Sequence, residues 1–243
     1  MIALLASFAA LAAAGTFAGL HSMLPRSQLY GASFIGEAAG SRRLALTYDE
    51  GPNDACTPGL LEVLAKYQVK ATFFLLGRYV EALPKLARAV AEAGHAVGNH
   101  SYSHRNLIFL SREETRQELR QTSQAIEDAA GVRPALFRPP FGGRRPGTFA
   151  IARECGMTPI MWRVSGHDWD ADSAGSIVQR IVPALKGGDV ILLHDGGHRA
   201  MGADRSRTVA ATEELVRRCQ GEGYQFVTVP EMMAGSQFSV LSS

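Results

Sequence analysis

The chain has 243 residues, 46% hydrophobic and 20% charged, ample for one core and compatible with a single large α/β domain or two small ones. Its net charge is only +2 with acids and bases interspersed, which excludes the electrostatic footprint of a nucleic-acid binder. Cys56, Cys155 and Cys219 are widely spaced and form no CxxC pair, which excludes a disulfide framework and a thiolate metal site.

Residues 1–20, MIALLASFAALAAAGTFAGL, are uncharged and rich in Ala and Leu. They read as an export signal or a membrane anchor, although no Lys or Arg precedes them and the Ala and Gly content weakens transfer into lipid. The expected location is therefore secreted or anchored in the cell envelope. Residues 21–41 read as an irregular connector, 42–232 as one folded domain and 233–243 as a tail.

From Arg42 onward, short apolar runs alternate with longer amphipathic ones. Strands are predicted over 43–48, 70–77, 95–100, 135–139, 158–165, 189–194 and 224–229, with helices over 57–67, 81–93, 111–130, 144–155, 174–186 and 205–221. Thr57-Pro58 and the capping-box spacing Ser111…Glu114 mark helix starts, and Gly94, Gly131, Gly156 and Gly187 mark stops. Such alternation implies a mainly parallel sheet covered by helices, in a doubly wound sheet or a barrel. The unusual polar clusters fall at the C-terminal ends of predicted strands, and that placement favours the barrel.

The first cluster is LALTYDEGP, an apolar run that ends on Asp49-Glu50 before Gly51-Pro52. Two adjacent carboxylates repel, so they form either a polar turn or a pair with separate tasks. The second cluster is His100-Ser101-Tyr102-Ser103-His104. It offers two imidazoles on a helical turn or tight loop but fails the HExxH pattern, because position 101 is Ser. A catalytic metal site needs one more ligand, which one of the two acids could supply while the other stays free as a base; taken in isolation, DEGP reads better as an Asx-type turn. Arg138, leading into Pro139-Pro140-Phe141, suits the orientation of a carboxylate, with Asp49 the natural partner. Asp168-Trp169 offers an acid beside an aromatic that serves equally as a sugar-stacking wall or a core residue. His194, after the apolar strand 189–194, becomes an acid candidate because Asp168 is available to hold it charged.

In this order the five clusters resemble the motifs of polysaccharide deacetylases with the NodB homology domain, carbohydrate esterase family 4, over about residues 42–232. Thr47-Tyr48-Asp49-Glu50-Gly51-Pro52 is similar to the family's TFDDGP, and His100 to His104 to its HSxxH. Arg138-Pro139-Pro140-Phe141 is similar to RxPF, Asp168-Trp169 to the fourth motif, and Leu192-Leu193-His194 to LxH. The resemblance implies a distorted (β/α)7 barrel of one domain. It also implies metal-dependent hydrolysis of acetyl groups, N-acetyl above O-acetyl, on a chitin-like or peptidoglycan-like glycan. Carried over by position, Asp49 is the base, and Glu50, His100 and His104 bind a divalent metal, zinc or else cobalt. His194 is the acid, Arg138 orients Asp49, and Asp168 tunes His194. The Phe141 N–H holds the oxyanion, while Trp169 and Leu192 line the acetyl slot. Two positions depart from the pattern: Glu50 replaces the usual Asp, and Ser165 stands where a further Asp is common. The alternatives are an inert carbohydrate-binding barrel, motivated by Glu50, and a small-molecule amidohydrolase on the same fold. Asp49 and His194 together speak against the first, and the Asp168-Trp169 wall against the second.

Overall fold

β1, Arg43–Gly51, sets the frame, and eight of its nine residues are buried. Side chains alternate across a strand. Leu44, Leu46 and Tyr48 accordingly pack outward into the main core, with Leu60, Leu64 and Leu215 of the covering helices. Ala45 packs inward with Phe74, Leu136 and Val190. Thr47 and Asp49 share that inward phase, so the sheet directs Asp49 to the interior.

The computed structural model of the chain describes residues 15–236. The other strands are β2 (Thr72–Leu75), β3 (Ala96–Asn99), β4 (Leu136–Phe137), β5 (Thr158–Pro159), β6 (Val164–Ser165), β7 (Asp189–His194) and β8 (Gln225–Phe226). The sheet runs β5-β4-β3-β2-β1-β7-β6, with β8 paired to β1 off that path. Every strand pairing is parallel. Around the curled sheet lie α1 (Thr57–Lys66), α2 (Gly77–Ala82), α3 (Pro84–Glu92), α4 (Arg112–Ala130), α5 (Thr148–Glu154), α6 (Ala174–Ile181), α7 (Ser206–Gly221) and α8 (Val229–Ala234). This is the distorted single-domain α/β barrel expected from the sequence.

The differences from the sequence reading have local causes. The run 158–165 is two strands, because residues 161–163 leave the ladder to turn a corner between β5 and β6. The helix expected over 81–93 is two, divided at Leu83-Pro84, since Pro84 cannot continue α2. The last expected strand shrinks to two residues and passes into α8, whose capping box of Thr228 and Glu231 went unread. The box at Ser111 and Glu114 forms as expected and opens α4.

Among the described residues β5 and β6 do not pair with each other, so the barrel has an open seam. The stretch expected to be an irregular connector lies across it. Phe34 donates its N–H to Pro159 O at 3.0 Å and accepts from Met161 N at 2.8 Å, while Glu37 N donates to Gly188 O at 2.7 Å. The Phe34 ring is buried with Ala45, Ile160 and Val190. Of the expected signal or anchor, residues 1–14 lie outside the described residues, as does the expected tail from 237 onward. No described helix is long and apolar enough to cross a membrane.

Candidate active site

The question raised by Asp49-Glu50 is how neighbours on a strand both reach one pocket. Regular alternation would send Glu50 outward with Tyr48. The ladder shifts instead: Asp49 pairs with Phe74 and Gly51 with Leu75, leaving Glu50 as an extra bulged residue. Its φ is 73°, a left-handed conformation. A bulge of this kind re-aims a side chain, and both acids face inward. Among the described residues, five of the six non-glycine positions with positive φ stand at or beside this site, namely Glu50, Ser101, His104, Phe141 and His167. Each such conformation costs about 1–3 kcal/mol and persists only where its surroundings enforce it.

Asp49 pairs in register with His194 across β1 and β7, so the two face each other at the strand ends. Asp49 Oδ1 accepts from the Arg138 guanidinium at 2.8 Å, and the same nitrogen donates to Thr47 Oγ1 at 2.8 Å. Arg138 is fully buried, 4.2 Å from the Phe74 ring centre, and donates to Met161 O at 3.2 Å. Burial lowers its pKa while Asp49 raises it, and the net shift is downward.

His100 and His104 lie on a loop rather than a helix, with ring centres 5.1 Å apart. The loop is shaped by Glu118 of α4, a buried carboxylate that accepts from Tyr102 N, Ser103 N and Ser103 Oγ. The His100 Nδ1 lies 2.8 Å from Arg138 O. A carbonyl only accepts, so Nδ1 carries the proton and Nε2 keeps its lone pair. Burial holds the His100 pKa down to about 4, against the raising effect of Asp49, so the ring is neutral near pH 7. Its Nε2 is 3.8 Å from Asp49 Oδ2. His104 Nε2 lies 3.1 Å from Glu50 Oε1. Burial would raise the Glu50 pKa, but the hydrogen bond with His104 and the charge of His194 outweigh it, and the net shift is downward.

One ligand atom each from Glu50, His100 and His104 lies within 4.8 Å of the others, and all three residues are buried. Three ligands at about 2.0–2.2 Å from a tetrahedral ion stand roughly 3.4 Å apart. A small inward adjustment therefore converts this group into a binding set. The chemistry fits as well: one anion, one imidazole with a fixed tautomer, and the His104 Nδ1 buried without a partner among the described residues. The group fits a divalent metal, and the extra methylene of Glu50 does not prevent it from reaching the imidazoles.

On the opposite wall, His194 Nδ1 lies 2.9 Å from Asp168 Oδ1, and His194 N donates to Asp168 Oδ2 at 2.8 Å. Thr208 of α7 adds a third bond to Asp168 at 2.8 Å. Burial would depress the His194 pKa, but the Asp168 carboxylate overrides it and raises the pKa to about 9. Burial opposes ionisation of Asp168, and the His194 charge and these bonds hold its pKa below the ordinary value. Ser165 does not reach this pair; its Oγ accepts from His167 N at 3.2 Å. Trp169 is 48% exposed and meets His194 edge-on at 5.2 Å, so it belongs to the pocket wall and not to the core. Leu192 is buried at the floor.

These groups line a cavity of about 630 Å³. Asp49, Glu50, His100, His104, Phe141, Trp169, Leu192 and His194 all border it, whereas Arg138 and Asp168 lie behind Asp49 and His194. Trp162, Arg199, Arg205 and His198 also border the pocket without having been singled out in the sequence, and His198 is the one that touches the candidate metal-binding group. His198 binds Glu50 and stacks on His104, with ring centres 4.4 Å apart. A fourth pocket histidine, just past Gly196-Gly197, was the available signal.

A family model described as polysaccharide deacetylase matches residues 36–160. The peptidoglycan-N-acetylglucosamine deacetylase PgdA of Listeria monocytogenes is 33% identical over 198 residues, covering 82% of this chain, and the chain spans only 40% of that relative's length. The structure of the Bc1960 peptidoglycan N-acetylglucosamine deacetylase superposes with a TM-score of 0.77 at 33% identity, covering 85% of this chain and 93% of that one. BA3943 from Bacillus anthracis, described as a CE4 family pseudoenzyme, superposes with a TM-score of 0.76 at 30% identity, covering 83% and 69%. Likeness of fold therefore extends to a protein described as a pseudoenzyme, so activity depends on the site and not on the fold. On the family match and these identities, the chain belongs to the polysaccharide deacetylase family.

Proposed function

We propose that this protein is a metal-dependent deacetylase that hydrolyses N-acetyl groups on an amino-sugar glycan of the peptidoglycan or chitooligosaccharide type, with zinc as the metal. The observation that carries the reading is the opposition of Asp49 and His194, in register across β1 and β7 and on either side of the Glu50, His100 and His104 group. Such a metal supplies positive charge that acidifies water and polarises the acyl oxygen. Asp49 takes the proton from the attacking water, its carboxylate aimed by Arg138, whose guanidinium is in turn held by Thr47. The Phe141 N–H, on a turn with φ 59°, stabilises the developing oxyanion. His194, kept charged by Asp168, gives its proton to the sugar nitrogen as the carbon–nitrogen bond breaks. Acetate and the free amine are the products. Leu192 and Trp169 form the apolar slot for the acetyl methyl group.

The relatives' peptidoglycan and chitooligosaccharide substrates support a glycan of that class and a working place at the cell envelope. The inert-barrel alternative is disfavoured because both ends of the proton relay are present and individually supported. The test is acetate release from chitooligosaccharides, peptidoglycan and acetylxylan, with and without a chelator, beside metal analysis. Acetate from the amino-sugar substrates, lost on chelation and restored by zinc, is the expected result. Asp49→Asn should keep the metal and lose about 10²–10⁴ in turnover. A protein that binds the glycan and releases no acetate with zinc supplied would be the inert barrel.

A further inference from the structure

His198 has no part in the reaction as written above, yet it grips a residue that does. It stands in the loop after β7, at the end of Asp195-Gly196-Gly197-His198. Its backbone N–H donates to Glu50 Oε2 at 2.9 Å, and its Nδ1 lies 3.0 Å from Glu50 Oε1. An ionised carboxylate only accepts, so Nδ1 is the donor. One residue therefore engages both Glu50 oxygens. The loop that presents it is itself tied down. Tyr79 Oη donates to Gly197 O at 2.8 Å, Arg205 Nε to Gly196 O at 2.7 Å, and the Arg78 guanidinium to His198 O. Phe141 packs edge-on against the His198 ring at 5.1 Å.

Glutamate has one more rotatable bond than aspartate, and an unrestrained carboxylate at its tip samples several positions. Ordering such a side chain costs rotamer entropy that a fixed partner supplies in advance. Partners that orient a metal ligand from outside typically change metal affinity about 10–100-fold. We propose that His198 is the positioning residue that makes glutamate at position 50 a competent metal ligand, by clamping its carboxylate against the His104 imidazole. The inference rests on the reading that Glu50, His100 and His104 hold a divalent ion. Aspartate, one methylene shorter, would leave His198 without a carboxylate in reach, so the two residues function as a pair.

The test is the zinc dissociation constant of the full chain, measured by competition with a chromophoric chelator. His198→Ala should weaken zinc binding about 10–100-fold. His198→Asn, whose amide nitrogen replaces Nδ1 as donor, should recover most of the loss. In a Glu50→Asp background, His198→Ala should have little further effect. The cobalt-substituted absorption spectrum should keep its shape in His198→Ala, because no ligand is lost. Equal zinc affinity in wild type and His198→Ala would overturn the inference while leaving the metal site standing. An equal loss in both backgrounds would mean that His198 does not act through Glu50, and a changed cobalt spectrum would make it a ligand; either overturns it. If the wild-type chain takes up no zinc, the metal reading fails and this inference with it. Thermal unfolding of the chelated proteins separates a folding defect from a binding one, and if His198→Ala does not fold, His198→Gln carries the same comparison.

Discussion

At the residue scale the two sides of the pocket are set to opposite protonation states by their neighbours. His100 is buried beside a carbonyl that fixes its tautomer, and its pKa falls to about 4. His194 is as buried, but Asp168 touches both its ring and its backbone N–H, and its pKa rises to about 9. Burial pushes both rings towards neutrality, and only the second has a carboxylate close enough to reverse the effect. The protonated acid therefore persists through neutral pH and is lost as pH rises through about 9. In the metal-loaded protein, kcat/KM should fall on that alkaline limb. Asp168→Asn removes the carboxylate and leaves burial dominant, so the limb should move to lower pH. An unmoved limb in that variant would show that His194 is not the group being titrated.

At the scale of single elements, the bulge at the end of β1 matters most. It breaks the two-residue period so that Asp49 and Glu50 share one face, and close backbone packing holds it in place. A Cβ on Gly196 would lie 2.0 Å from Glu50 O and 2.6 Å from Glu50 C, both backbone atoms. Neither atom yields without moving the bulge. Gly196→Ala should therefore displace Glu50, weaken zinc uptake and cost about 1–3 kcal/mol of stability, as overpacking does. Urea unfolding and metal titration check this, and an Ala variant equal to wild type in both would mean that the two loops are not in obligatory contact. Asp195, the preceding residue, is held in the same junction by Thr57 and lifted to about pKa 7 by burial.

At the scale of the whole molecule, the barrel is held together where its hydrogen bonding is incomplete. The ladder stops at β5 and β6, and the segment around Phe34 supplies the missing backbone partners and an apolar side chain. Phe34 is 1% exposed. Phe34→Ala should cost about 3–5 kcal/mol, the usual range for a buried phenylalanine. Denaturant unfolding measures it, and a cost below about 1 kcal/mol would mean the seam closes without this side chain. The same seam lies beside Ile160 and Met161, whose carbonyls hold Arg138, so its integrity bears on the aim of Asp49.

The alternation of apolar runs and amphipathic stretches was sufficient to read a parallel α/β fold, because strand and helix periods are local properties of the chain, while the choice of a barrel came from the placement of the polar clusters and the family resemblance. Asp49, Glu50, His100, His104, Arg138, Asp168 and His194 were legible because each stands in a short polar cluster just after an apolar strand. What no local pattern contains is how such clusters meet. The bulge that turns Glu50 inward depends on its partner strand and on the loop packed over it. Glu118 is a polar residue on a polar helix until the histidine loop is folded onto it. His198 is one more loop histidine until tertiary contact brings it to Glu50, a residue 148 positions earlier in the chain. The connector around Phe34 has no strand period, and its role appears only when the sheet around it fails to close.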